Sequence, residues 1–122
     1  MRSAVPHLRK RADFLRVAAT RRRWTTPGLV LQVAPRPDDT GPTSRVGYTA
    51  SRKVGNAVVR NRSRRRLRAA VAALMPDHGD GAFDYVLIAR EATAKRPWPN
   101  LLADVETAMR RLKAWREATQ AS

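Results

Sequence analysis

Apolar residues recur along this chain in two periods, one close to a helical turn and one close to the pleat of a strand. Leu8, Ala12, Leu15 and Ala19 stand three or four apart, which predicts a first helix over residues 8 to 19 with its basic side chains on the other sides. Residues 29 to 34 are a short apolar run. Residues 45 to 51 alternate Val46, Tyr48 and Ala50 with Arg45, Gly47 and Thr49, so both segments read as strands and a hairpin is expected to join them. Pro35, Pro37, Asp38, Asp39, Gly41 and Pro42 crowd the connection, a composition suited to an exposed turn. Residues 21 to 26 add a candidate short strand. Asn56 is placed to cap a helix that runs to Met75, where Pro76 is expected to stop it, and Leu67, Ala70, Val71 and Leu74 form its apolar stripe. Residues 83 to 89 are apolar or β-branched except for Asp84 and read as a strand buried on both faces. Pro97 and Pro99 mark a turn around Trp98. A last helix over residues 100 to 117 carries Leu101, Val105, Ala108, Leu112 and Trp115 on one side.

A length of 122 residues with 43% hydrophobic and 29% charged residues suits one folded domain, with residues 1–7 and 118–122 expected as loose ends. Charge narrows the partners. The chain has 25 Lys and Arg against 10 Asp and Glu, a formal net charge of +15, and 21 of the 25 cations are Arg. Such a surface attracts polyanions, and the guanidinium fork suits phosphates and base edges. No stretch reaches the ~20 apolar residues of a spanning helix, and the N-terminus lacks the apolar core of a secretion signal, so a cytoplasmic protein without a membrane partner is expected. The absence of Cys removes disulfides, thiolate metal sites and thiol nucleophiles. Asp77, His78, Asp80 and Asp84 come nearest to a metal-ligand group, yet they surround Gly79 and Gly81 in a loop-like stretch, and no metal site is expected.

The densest signal lies between residues 52 and 68, where eight basic residues occur without one acid: Arg52, Lys53, Arg60, Arg62, Arg64, Arg65, Arg66 and Arg68. On a helical wheel Asn61, Arg64, Arg65 and Arg68 share one flank and Arg62 and Arg66 the other, with Leu67, Ala70 and Val71 between them. Crowding these cations has a repulsive cost that a polyphosphate would relieve while releasing its condensed counterions. A merely solubilising helix face usually mixes both signs. Gly55 before the helix permits a backbone turn closed to other residues.

The string S-R-K-V-G-N-A-V-V-R-N-R-S-R-R-R-L-R at residues 51 to 68 resembles the signature of the bacterial ribonuclease P protein subunit, with Arg60-Asn61-Arg62 at its centre. The similarity extends to Ala12-Asp13-Phe14, to Arg45-Val46-Gly47-Tyr48 and to residues 84 to 90, in the right order along the chain. The resemblance implies an α+β fold in which a small mixed β-sheet packs with about three helices in the order α-β-β-(β)-α-β-α. It further implies a left-handed βαβ crossover of the ribosomal protein S5 domain 2-like type, against the usual right-handed rule.

It also implies a protein cofactor that binds a catalytic RNA and the 5′ leader of precursor tRNA. Mg²⁺-dependent removal of the leader is then carried by the RNA, no protein side chain is catalytic, no cofactor is bound by the protein alone and no protein partner is required. By resemblance Arg52, Lys53, Asn56, Arg60, Asn61, Arg62, Arg64, Arg65 and Arg68 meet the catalytic RNA, and Phe14 and Tyr48 meet the leader. Ala18 and Gln32 stand where family members often carry aromatic residues, which implies weaker leader stacking, with Trp24 and Tyr48 as candidate substitutes. The competing expectations are a structural RNA-binding protein of the ribosomal type and, ranked last, a DNA-binding module using a major-groove helix.

Overall fold

A carboxylate that no water reaches anchors the architecture, and the strand that carries it is central in the sheet. In a computed structural model describing residues 5–37 and 44–117, the chain forms α1 (Arg11–Ala19), β1 (Arg23–Thr25), β2 (Leu29–Pro35), β3 (Arg45–Thr49), α2 (Ala57–His78), β4 (Phe83–Ala89) and α3 (Trp98–Arg111). The expected turn at 35 to 42 lies largely outside the described residues, as do residues 1–4 and 118–122. One mixed sheet has the order β1-β2-β4-β3. β4 runs antiparallel to β2 and parallel to β3. The expected hairpin between β2 and β3 is therefore not formed. β4 arrives from 34 residues beyond β3 and pairs between them, burying on both faces a run that is apolar but for Asp84.

Alternation along the strands sorts the core into two layers. Leu29, Leu31, Val33, Val46, Tyr85 and Leu87 face α2 and α3, where they meet Leu67, Val71 and Met75 and then Leu101, Val105 and Met109. Ala34 and Val86 face the other way, toward Leu8 and Val17, with Phe14 and Ile88 packed at the margin. On this second face α1 is not turned as its apolar spacing predicts. Leu15 is 55% exposed, Ala12 and Ala19 are exposed, and Val17 is the buried residue. Ion pairs fix the phase instead, because Asp13 and Arg16 must turn toward the sheet. Leu8, expected to open the helix, precedes it, and with Pro6 and His7, expected in a loose arm, it runs along β3, where the Leu8 N–H donates to the Val46 carbonyl and the Val46 N–H to the Pro6 carbonyl.

Both long helices end otherwise than expected. α2 runs through Pro76 to His78, since a proline in the last turn removes one donor while the Gly79 N–H still closes on the Met75 carbonyl at 2.9 Å. α3 begins at Trp98, with Pro99 in its first turn, and stops at Arg111. Lys113 has φ 57°, and the Ala114 N–H reaches back to the Met109 carbonyl at 2.8 Å. Trp115 thus lies beyond the helix, bridged to Gly79 and stacked on His78 at 3.9 Å. Arg21 after α1 has the same φ of 57°. Both take a left-handed helix-end position that glycine usually fills, and a cation there interacts well with the helix C-terminus. The stop of α1 at Ala19 is where the apolar spacing puts it, whereas Lys113 in place of a glycine hid the stop of α3 from the sequence.

Asp84 is fully buried, and Arg16 and Arg45 both donate to it, Arg45 at 3.0 and 2.7 Å, while Arg36 lies 3.8 Å away. Asp13 joins at 3.4 Å from Arg16 and 3.6 Å from Arg45. Burial pushes the Asp84 pKa up, but the hydrogen bonds and charges of Arg45 and Arg16 outweigh it and hold the carboxyl below its ordinary value. The cluster therefore stabilises the fold at pH above the ordinary carboxylate pKa of ~3.9, and the contribution is lost as pH falls through the lowered folded value. Asp84→Asn should lower the unfolding free energy by about 2–4 kcal/mol, because breaking a buried pair strands its partners, here softened by the access of Arg16 and Arg45 to water. Urea denaturation at neutral and acidic pH checks this, and the wild-type excess over the variant should shrink on acidification.

Candidate RNA-binding surfaces

Gly55 and Asn56 set the start of α2. Gly55 has φ 151°, and a Cβ there would lie 2.9 Å from the Val59 side chain, so only glycine fits without displacement. The Asn56 carboxamide oxygen accepts the Val59 N–H at 3.0 Å, which makes Asn56 the cap and leaves its NH₂ group as the part available to a ligand. Arg52 and Lys53 occupy a short 3-10 turn just before this cap, exposed, around buried Val54.

The arginines of α2 divide by direction. Arg66 turns inward along the helix flank and donates to the Thr93 carbonyl at 2.5 Å and to the Arg96 carbonyl. Burial first, and the like charge of Arg62 second, lower its pKa. It fastens α2 to the segment before α3. On the opposite flank Arg64 bonds Asn61 Oδ1 at 3.1 Å and reaches the Ala50 carbonyl at 3.5 Å, while the Arg68 guanidinium lies 5.7 Å from the centre of the Tyr48 ring. Arg60 reaches the Gly55 carbonyl at 3.4 Å. Arg62 and Arg65 are exposed, and neither has a hydrogen-bond or ion-pair partner among the described residues. Ser63, Leu67, Ala70 and Val71 are buried beneath, so one helix is core on one side and cation on the other.

Arg52, Lys53, Asn56, Arg60, Asn61, Arg62, Arg64, Arg65 and Arg68 thus come together on one surface, with Val58, 75% exposed, among them. Val58 escaped the sequence reading, although at 100° per residue it falls on the opposite side of the helix from Leu67 and its buried stripe. An open depression of about 600 Å³ adjoins the base of this surface, lined in part by Ser51, Lys53, Ala89 and Arg90.

Phe14 and Tyr48 do not share a site. Phe14 is half-buried on the α1 face, where its ring lies over Gly47 so closely that a Cβ there would fall 2.5 Å from it. A glycine inside an alternating strand is the sequence signal of such a close approach. Gln32, paired with Val86, lies on this same face. Tyr48 pairs with Leu87, so it faces α2, where His7 meets it edge-on at 5.6 Å and Arg68 caps it. Burial, opposed by Arg68, pushes its phenol up to about 12. Trp24 also leaves the Phe14 face, since it pairs with Leu31 and faces α3.

A model of the family described as Ribonuclease P matches residues 4–113. The chain belongs to the ribonuclease P protein family. It is 52% identical over 116 residues to the ribonuclease P protein component of Paramagnetospirillum magneticum, covering 93% of this chain and 87% of that one. It is 46% identical over 113 residues to that of Ruegeria pomeroyi, covering 92% and 90%. Among solved structures, the RNase P protein of Staphylococcus aureus aligns with a TM-score of 0.75 at 24% identity, over 90% of this chain and 97% of that one. That of Thermotoga maritima aligns at 0.69 and 23%, over 83% and 92%. The α+β fold with a mixed four-stranded sheet is that of the ribonuclease P proteins.

Several acidic groups are engaged structurally. Asp84 is held by arginines, Asp104 by Arg96 at 2.8 Å, and Asp80 takes the Ala82 N–H at 2.9 Å. Among the described residues no three His, Asp or Glu side chains converge to hold a metal ion, and no helix is long and apolar enough to cross a membrane. The division of the arginines predicts unequal effects on the free protein. Arg66→Ala should cost about 1–3 kcal/mol by stranding the Thr93 and Arg96 carbonyls, whereas Arg62→Ala and Arg65→Ala should stay within ~0.5 kcal/mol of wild type in chemical denaturation.

Proposed function

We propose that this protein is the cofactor subunit of ribonuclease P, binding the catalytic RNA through the outward face of α2 and the 5′ leader of precursor tRNA against the α1 face of the sheet. One observation carries the reading: α2 presents a surface of cations with no acid, two of them unpartnered among the described residues, at the end of the helix where backbone N–H groups add positive potential. From residue 40 to residue 76 the chain has no acidic side chain at all. Arg at so many adjacent positions suits phosphates of a folded RNA better than selective readout of a DNA groove. A ribosomal-type structural role would share the charge, but it is not the role by which the relatives are named.

The protein's contribution is electrostatic and positional. Bringing a precursor tRNA onto a catalytic RNA sets polyanion against polyanion, and a bound domain of net charge +15 relieves that repulsion. The Mg²⁺ chemistry of leader removal would belong to the RNA-containing holoenzyme, while the carboxylates described above are committed to ion pairs and turns. Phe14, seated over Gly47, offers an uncharged ring beside the sheet for a leader base to stack on, in the cytoplasm and with no further protein needed.

Reconstitution tests this directly. The protein alone should leave precursor tRNA uncut, and adding it to the cognate catalytic RNA should raise cleavage at low Mg²⁺. Cleavage by protein rigorously freed of RNA would overturn the reading. Phe14→Ala holoenzyme should bind precursor tRNA more weakly by about 1–3 kcal/mol while binding mature tRNA as before; equal losses for both would make Phe14 a packing residue alone.

A further inference from the structure

β1 lies at the edge of the sheet remote from β3 and the arginines of α2 that fringe it. The chain has no acidic residue from Phe14 to Pro37, and Arg21, Arg22 and Arg23 lead directly into Trp24. Trp24 is 39% exposed, with the Arg111 guanidinium 5.4 Å from its ring centre. Arg22 serves the fold, donating to the Leu112 carbonyl at 2.6 Å, and Arg110 is neutralised by Glu106 and Glu117. Arg21, Arg23 and Lys113 are exposed and have no hydrogen bond or ion pair from their side chains among the described residues. Arg21 and Lys113 are also the two non-glycine residues with left-handed backbone there, so the strained positions beside this edge carry cations.

Charges on an edge strand have an ordinary use, which is to block edge-to-edge pairing. That use does not explain Trp24, because a large exposed ring on an edge invites the association that the charges oppose. A ring, a guanidinium over it and unpartnered cations around it are together the chemistry of a platform for single-stranded nucleic acid.

We infer that the β1 edge is a second contact for the leader, taking a base at Trp24 and Arg111 and the neighbouring phosphates on Arg21, Arg23 and Lys113. The inference rests on the leader reading above. Continuity supports it: Arg23 pairs with Gln32 and so lies on the face that carries Phe14, while Trp24, next in the same edge strand and on the α3 face, is partly exposed. From Gly47 beneath Phe14 to β1 is three strand spacings, ~14 Å, or about four stacked nucleotides at ~3.4 Å each. A strand crossing the sheet from Phe14 reaches β1 with its more distal nucleotides. RNA docked on α2 approaches the other edge.

The test measures holoenzyme affinity for precursor tRNAs whose leaders are lengthened stepwise. Phe14→Ala should remove the gain from the first nucleotides. Trp24→Ala should leave that gain and reduce the later gain at least about fivefold, with Arg111→Gln giving a smaller loss and Trp24→Phe restoring most of it. Thermal melting of each variant separates these effects from misfolding, and exposed Arg111 gives a variant that does not depend on the packing of Trp24. If Phe14→Ala acts as stated and neither Trp24→Ala nor Arg111→Gln changes the later gain, the second contact is wrong and the leader reading stands. If Phe14→Ala has no leader-dependent effect, the leader reading itself fails. If Trp24→Ala weakens assembly with the catalytic RNA before any substrate is added, the edge belongs to that RNA and the inference is overturned.

Discussion

Asp84 sits at 0% exposure in the central strand, and a carboxylate in that position is tolerable only with cations against it. Arg16 comes from α1, Arg45 from β3 and Arg36 from beyond β2, so one buried charge gathers three segments far apart in sequence. The rotation of α1 follows from it. With Asp13 and Arg16 turned to the sheet, Phe14 and Val17 turn with them, and Leu15 is left in water. The placement of Phe14 over Gly47 is thus a consequence of an ion-pair cluster rather than of apolar periodicity.

The same economy governs the arginines. In a chain with 25 cations and 10 acids most basic side chains cannot find a carboxylate, and this fold gives several of them backbone carbonyls instead. Arg22 takes Leu112, Arg90 takes Thr26, and Arg66 takes Thr93 and Arg96. These arginines hold elements together. Two groups of the cations left over lie on the outward side of α2 and around β1, and those are surfaces on which a polyanion replaces the missing partners.

How much of this was legible in the sequence depends on the range of the interaction. β4 could be read to the residue, because burial on both faces leaves a run that is apolar but for Asp84. The cap at Asn56 and the buried stripe of α2 are local and were equally plain. The strand order was not, since β4 inserts between β2 and β3 by pairing across long stretches of chain. The phase of α1 was set by Asp84, 68 residues from Arg16, and no local pattern carries that information. On α2 the basic face was visible as charge density. The separate role of Arg66 was not, because its acceptors lie 27 and 30 residues further on. Tyr48 and Phe14 look equivalent as strand and helix aromatics until register puts them on opposite faces.

The central claim is that the outward arginines of α2 are held ready for RNA phosphates rather than for solvent. The salt dependence of assembly with the catalytic RNA measures this most directly, comparing wild type with a protein in which Arg62, Arg65 and Arg68 are all replaced by Ala and whose folding is confirmed by melting. Each phosphate that an arginine no longer neutralises takes about 0.7 to 0.9 off the slope of log affinity against log salt, so the triple variant should bind more weakly with a slope shallower by about 2 to 3. An unchanged slope would assign those side chains to water and contradict the account.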